Sequence, residues 1–290
     1  MVKKYSQLYS DLRRILMKTE PPQEAGFLTR TIISHFGNIT QEQLIANGEL
    51  YASETVCEAA EAAVLRFTTG EPLAYVLGEW EFYGLKLTVS PDVLIPRDDT
   101  CAVAALAIQK SLFLEKSPRI LDLCTGSGCI GLAVASRVPD ARVTLGDISK
   151  EALTIARSNI SRNHFSGRVS AIQVDALHEP SAFLGKFDLI VSNPPYITTQ
   201  EMQELPNSVA DYEPHLALHG GDDGLLFYRS IAANFKSALK PGGYLCFEFG
   251  MGQGNDVCEI LENNGYTILE HSRDYNDIER AVLAQLIRKD

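Results

Sequence analysis

Asn193-Pro194-Pro195-Tyr196 is the stretch of this 290-residue chain whose residue types most directly suggest a reaction. It follows the apolar run from Asp188 to Val191, so it leaves the carboxyl end of a buried strand, where open α/β sheets bind their ligands. A planar amide or aryl amine is a weak nucleophile because its lone pair is delocalised. It attacks well only if the nitrogen is held in line and its developing positive charge is stabilised. The Asn193 side-chain oxygen and the Pro194 carbonyl can accept the two N–H groups of such a nitrogen. Tyr196 can pack against the planar group and turn its ring face to the charge. The chemistry this suits is in-line displacement of a methyl group from a sulfonium, with no strong general base.

A second constellation lies upstream. The apolar segment 119–123 runs into Cys124-Thr125-Gly126-Ser127-Gly128-Cys129-Ile130-Gly131, and 132–137 then reads as helix. Glycines let the backbone approach a ligand closely, and the helix start offers unpaired N–H groups. Asp147 closes the next apolar segment, 21 residues after Gly126, where a carboxylate can accept hydrogen bonds from both hydroxyls of a ribose. Gly126, Gly128 and Gly131 also satisfy the G-x-G-x-x-G dinucleotide signature, so the loop alone does not choose its ligand. Asp122 favours S-adenosylmethionine, because an acid there can face a ligand ammonium and would repel a pyrophosphate.

Both constellations need a sheet to carry them. Beyond Pro96 the short apolar runs 119–123, 142–148, 187–195 and 243–250 alternate with helical stretches, the rhythm of α/β layering around a largely parallel sheet. The first 80 or so residues differ. Leu8, Leu12, Ile15 and Leu16 recur at helical spacing, Pro21-Pro22 breaks the pattern and Gly37-Asn38 ends its continuation. Thr40 with Gln43 predicts a capping box, and Ser53 opens another helix, so a small helical bundle is expected. Trp80 to Val89, aromatic and β-branched around Gly84, predicts a hairpin linking the two parts.

Composition narrows the function classes. Hydrophobic residues make up 45% and charged residues 22% of the chain, which is the composition of a folded protein. The longest strongly apolar run, 101–108, is far too short to cross a bilayer, and the N-terminus carries charge throughout, so a cytoplasmic protein is expected. The formal charge of -11, with 7 basic and 10 acidic residues in the first 80 and an acidic remainder, argues against affinity built on phosphate contacts. Six cysteines, at 57, 101, 124, 129, 246 and 258, form no C-x-x-C pair and read as reduced thiols. His215 and His219 lack the carboxylate of H-E-x-x-H and read as loop histidines.

With these residues in hand, the chain resembles the PrmC/HemK family of protein-(glutamine-N5) methyltransferases, which act on peptide chain release factors. The resemblance spans nearly the whole chain: GEWEFYGLKLTVSPDVLIPR at 78–97, LDLCTGSGCIGLAVA at 121–135, FDLIVSNPPYI at 187–197, DYEPHLALHGGDDGLLFYR at 211–229 and LKPGGYLCFEFG at 239–250. NPPY is shared with nucleic-acid methyltransferases, whereas the IPR and YEP segments together are specific. The resemblance implies an α/β, Rossmann-like class I methyltransferase domain at 97–290 with a seven-stranded mixed sheet whose last strand is antiparallel. A helical substrate-docking domain at 1–78 and a β-hairpin linker at 79–96 would precede it.

It further implies S-adenosyl-L-methionine as cofactor, S-adenosyl-L-homocysteine as product, and the glutamine of the release factor's Gly-Gly-Gln loop as acceptor. The implied cofactor contacts are Asp122, Cys124, Thr125, Gly126, Ser127, Gly128, Asp147, Ile148, Asp175, Ala176 and Asn193. Asn193, Pro194, Pro195 and Tyr196 fall on the catalytic glutamine site, with Arg97, Thr100 and Glu213 as further substrate contacts and no metal. Class-1 release factors are the expected partners of a monomeric chain, with neither membrane nor direct nucleic-acid binding. The chain departs from the usual family text in having Cys124 for Gly, Asp98, Asp99 and Cys101 for the Pro, Glu and Glu of PRPETE, and Ala176 where an aromatic is frequent. Three other readings stay open: a nucleic-acid N-methyltransferase of DNA adenine or RNA guanine sharing NPPY, a nicotinamide-dependent oxidoreductase sharing the glycine loop, and a binding protein without catalysis.

Overall fold

A computed structural model describes residues 2–287. The chain divides into two compact units, one ending at Gly78 and the other beginning at Glu79.

The first unit consists of α1 (Tyr5–Leu16), α2 (Pro22–Gly37), α3 (Gln41–Ala46), α4 (Glu54–Thr68) and α5 (Leu73–Leu77). Spacing of four puts Leu8, Leu12 and Leu16 on one face of α1, where they bury against Ile32 and Ile33 of α2 and Ala60 and Val64 of α4. Full burial of each leucine stabilises the unit by roughly 1.5–3 kcal/mol. Pro22 occupies the first turn of α2, where its missing N–H breaks no helical bond, and Asn38 ends the helix in the left-handed conformation. Thr40 and Gln43 form the expected capping box, with the Gln43 N–H donating to Thr40 Oγ1 at 3.2 Å and the Thr40 N–H to Gln43 Oε1 at 2.9 Å. Ser53 caps α4 by accepting from the Val56 N–H.

The second unit opens with the antiparallel hairpin β1 (Glu79–Phe82) and β2 (Leu85–Thr88). There follow α6 (Cys101–Leu112), β3 (Arg119–Leu123), α7 (Cys129–Arg137), β4 (Arg142–Asp147), α8 (Lys150–Arg162), β5 (Val169–Gln173), β6 (Phe187–Ser192), α9 (Asn207–Ala210), α10 (Leu226–Asn234), β7 (Leu239–Glu248), α11 (Gly254–Asn263), β8 (Tyr266–Arg273) and β9 (Glu279–Leu286). Seven strands form one sheet in the order β5-β4-β3-β6-β7-β9-β8. β3 to β7 are parallel, and β9, the last strand, is antiparallel to both neighbours.

Alternation of side chains puts Ile120 on the sheet face covered by α6 and α7, and Leu121 and Leu123 on the face covered by α10 and α11. Central strands buried on both faces explain why the sequence reads there as continuous apolar runs. The hairpin folds with this unit: Phe82 and Leu87 enter the core, and Glu79 pairs with Arg162 of α8. The chain steps from β3 outward to β4 and β5, then returns to lay β6 on the other side of β3. This reversal opens a crevice at the carboxyl ends of β3 and β6, the place where both constellations emerge. No helix among the described residues is long and apolar enough to cross a membrane.

Candidate active site

A cavity of about 320 Å³ sits at that carboxyl edge, within the second unit. Thr125, Gly126 and Ser127 form one wall as the chain turns from β3 into α7. Gly126 has φ of +53°, and a Cβ there would meet no protein atom within 4 Å, so bare backbone faces open space. Its N–H donates to Asp147 Oδ2 at 2.9 Å, and the Ser149 N–H donates to Oδ1 at 3.0 Å. Burial raises the Asp147 carboxyl above its ordinary range, and these N–H groups oppose the shift. Ile148, exposed, and Ala176, buried, continue the lining beside Asp175, whose carboxylate accepts from the Leu177 N–H at 2.8 Å; that bond is the main cause holding it below its usual range.

Two loop residues lie elsewhere. Asp122, placed by the sequence against a ligand ammonium, is fully buried behind the loop and does not line the cavity. Its Oδ2 accepts from the Thr125 hydroxyl at 2.6 Å and from the Gly131 N–H at 2.8 Å, so it ties the loop to the first turn of α7. Burial pushes its carboxyl up to about 7. Gly128 is also buried behind the lining. Cys124 does line the cavity, in the left-handed conformation at φ of +59° that a glycine adopts without strain.

The second wall comes from β6. The Ser192 hydroxyl donates to the Leu123 carbonyl at 2.6 Å and so locks the end of β6 to β3. Half-buried Asn193 and buried Pro195 face the cavity, while Pro194 and Tyr196 lie outside its lining. Asn193 Nδ2 donates to Oγ1 of Thr100, another lining residue, at 3.4 Å. The Tyr196 hydroxyl is pushed up to about 12 by burial, which keeps it neutral and unfit as a base. Its main-chain oxygen accepts from Gln253 Nε2 at 3.1 Å.

The loop after α9 grips this tetrapeptide. The Ile197 N–H donates to the Leu218 carbonyl at 2.9 Å, and the Gly220 N–H to the Ile197 carbonyl at 2.8 Å. Glu213 opens the same loop but is turned inward, where it accepts from the Arg97 guanidinium and, at 3.4 Å, from the Ile95 N–H. Neither Arg97 nor Glu213 lines the cavity; together they fasten the segment carrying Val93, Leu94 and Pro96, which does. His215 and His219 fall in this loop, and among the described residues no three or more His, Cys, Asp or Glu side chains are grouped to hold a metal.

The chain has counterparts among known proteins. A PrmC N-terminal domain model matches residues 7–78, and a methyltransferase small domain model matches 99–212. The release factor glutamine methyltransferase of Clostridium acetobutylicum is 41% identical over 73% of this chain and 74% of its own. That of Bacteroides thetaiotaomicron is 34% identical over 94% of this chain and 97% of its own. The chain belongs to the release factor glutamine methyltransferase family. A bifunctional methyltransferase of Rickettsia felis is 35% identical over 90% of this chain, which spans only 53% of that longer protein. The hMettl16 catalytic domain, solved with the MAT2A 3'UTR hairpin 6, shares the fold with a TM-score of 0.57 at 15% identity, covering 83% of this chain and 86% of that one. As a member of this family the chain is an enzyme of the class I methyltransferase fold.

Two residues that build the site are not among the sequence's candidate site residues. Asn159 of α8 is fully buried; its Nδ2 donates to the carbonyls of Thr88 and Ser127, both at 2.9 Å, joining the hairpin to the glycine loop. Gly220 approaches the tetrapeptide so closely that a Cβ would stand 2.6 Å from Tyr196 Cα and 2.7 Å from the Pro195 oxygen. The local signal for Gly220 is the glycine pair in HGG. Asn159, an amide in the middle of an amphipathic helix, has a weaker one.

Proposed function

We propose that this enzyme transfers a methyl group from S-adenosyl-L-methionine to the side-chain amide nitrogen, N5, of the glutamine in the Gly-Gly-Gln loop of class-1 release factors, and so supports translation termination. The observation that carries this reading is that Asp147 with the bare backbone of Gly126, on one side, and Asn193, on the other, open onto one cavity. The names of the similar bacterial proteins supply the acceptor.

The chain's residues suit that cofactor. Asp147 keeps lone pairs for both hydroxyls of a ribose, Gly126 leaves room for close approach, and Val174, Ala176 and Leu177 offer an apolar wall to a purine. Bound there, the cofactor supplies a methyl group on a positively charged sulfur. Asn193 Oδ1 accepts one N–H of the glutamine amide at the cavity; the main-chain carbonyl of Pro194, whose residue lies outside the cofactor cavity's lining, takes the other, and the pair points the nitrogen along the line of displacement. With Tyr196 neutral, the proton shed by the methylated nitrogen passes to water.

The helical unit ending at Gly78 is the proposed docking part for the release factor, with residues 79–96 as a linker. The enzyme is proposed to work as a monomer in the cytoplasm, where its acceptor is made. The test is incubation of purified protein and methyl-labelled cofactor with a release factor, with its Gln→Ala variant and with duplex DNA. Label is expected on the first alone; label on DNA, or equal label on the variant, overturns the reading.

A further inference from the structure

We infer that Glu248, acting through Thr100 and by direct contact with the Asn193 side chain, is the positioning residue that decides which way the Asn193 carboxamide points. The inference rests on the proposed amide methylation and adds a group to it that touches neither substrate nor cofactor.

A carboxamide has two nearly isosteric ends of opposite hydrogen-bonding sense. With Oδ1 toward the cavity, Asn193 accepts an N–H of the incoming amide. Flipped, it confronts those N–H groups with donors of its own and the acceptor site is lost. Nothing in an isolated Asn193-Pro194 turn selects between the two.

The neighbouring strand does. Glu248 ends β7, next to β6 through the pairing of Phe247 with Ser192. It is buried, its main-chain oxygen accepts from the Tyr228 hydroxyl at 3.0 Å, and its Oε1 accepts the Thr100 hydroxyl hydrogen at 3.2 Å. A threonine hydroxyl has one hydrogen, and Glu248 takes it. Thr100 Oγ1 is therefore left with lone pairs, and only the Nδ2 end of Asn193 can satisfy them, as it does at 3.4 Å. Acceptor, hydroxyl and amide form a one-way chain that leaves Oδ1 as the end not engaged by Thr100, available to the cavity that Asn193 lines.

Glu248 Oε2 makes no hydrogen bond of good geometry, but the Asn193 side chain also lies against this carboxyl as a donor and favours its charged form. Burial pushes this carboxyl up to about 8, opposed by the donors of Thr100 and Asn193, both of which favour the ionised carboxylate.

The test compares two pairs of variants in the full-length enzyme, with release-factor methylation and S-adenosylhomocysteine affinity as separate readouts. Thr100→Val keeps shape and removes the hydroxyl, and Thr100→Ser restores it. Glu248→Met keeps bulk and removes the acceptor, and Glu248→Gln restores a carbonyl. The Val and Met variants should lose kcat about 10- to 100-fold, the scale on which groups that orient a reacting side chain act, with product affinity unchanged. Ser and Gln should each recover most of their pair's loss. Wild-type kcat in the Val and Met variants, a loss seen in affinity instead, or equal loss within each pair overturns the inference. Absence of labelled glutamine with the wild-type enzyme would instead refute the proposed activity, so the two failures are distinguishable.

Discussion

Glu213 holds Arg97, 116 residues earlier in the chain, and with its other oxygen receives the Ile95 N–H, so one buried carboxylate fastens the YEP loop to the IPR segment. Both segments contribute to the cavity lining, through Pro214 and Ala217 on one side and Val93 and Pro96 on the other. The two motifs are thus one structural device, a clasp that sets the width of the cleft.

Glu213→Ala leaves the Ile95 N–H without its acceptor and returns the half-exposed Arg97 to water. The expected loss is about 1–3 kcal/mol, the usual cost of a buried group left unsatisfied. Urea unfolding should show it as a lower midpoint with unchanged slope, and cofactor affinity should fall because the cleft wall loosens. Wild-type stability would mean that Arg97 and Ile95 are held by other contacts.

Gly220 gives a sharper steric prediction. A methyl group there runs into Tyr196 Cα and the Pro195 oxygen, both backbone, so Gly220→Ala has to displace the tetrapeptide or the loop that grips it. A shift of about 1 Å at the reacting group can lower kcat by roughly a hundredfold. The variant should therefore stay folded, bind S-adenosylhomocysteine and turn over slowly. Normal turnover would show that the contact is relieved without moving Asn193.

The contrast between these residues and the motifs explains what the sequence made legible. Strand 119–123, the Thr40–Gln43 capping box and the hairpin around Gly84 depend on local periodicity and local hydrogen bonds, and each forms where its residues predict. Gly126, Asp147 and Asn193 share one cavity lining because strand ends deliver them to a common edge. The inward turn of Glu213 and the seclusion of Asp122 depend on partners far along the chain or on the packing of a helix against a strand. Residue type alone marks such acids as reactive and cannot show that their hydrogen bonds are spent on the scaffold.

Asp147 and Asn193 line the same cavity and should fail in different ways. Asp147→Ala removes the carboxylate proposed to accept the cofactor's ribose hydroxyls, where each hydrogen bond to a charged group contributes about 1.5–3 kcal/mol, so calorimetry should find S-adenosylhomocysteine bound about a hundredfold more weakly or worse. Asn193→Ala should leave that affinity largely intact and lower kcat by about 10²–10³-fold, the scale of losing one preorganised group at a reacting centre. Unchanged affinity in the first variant removes Asp147 from the site. A large loss of affinity in the second would reassign Asn193 to cofactor binding.

The pH dependence of stability carries a definite sign. Burial raises Asp122 from 3.8 to about 7 and Glu248 from 4.5 to about 8. Between those unfolded and folded values the native protein keeps protons that the unfolded chain releases, so stability falls as pH rises through the interval. The contribution is fully present below the unfolded values and gone above the folded ones. Asp175, Asp223 and Asp274 are held below their ordinary values, chiefly by hydrogen bonds from the Leu177 N–H, Arg229 and Arg280 respectively, and their contribution is lost only at acid pH, outside this window. The melting temperature should therefore decline from about pH 4 to about pH 8, and the double variant Asp122→Asn with Glu248→Gln should flatten that decline. A wild-type curve level across the range, or a double variant with the wild-type slope, would mean that both acids are already ionised in the folded enzyme at neutral pH.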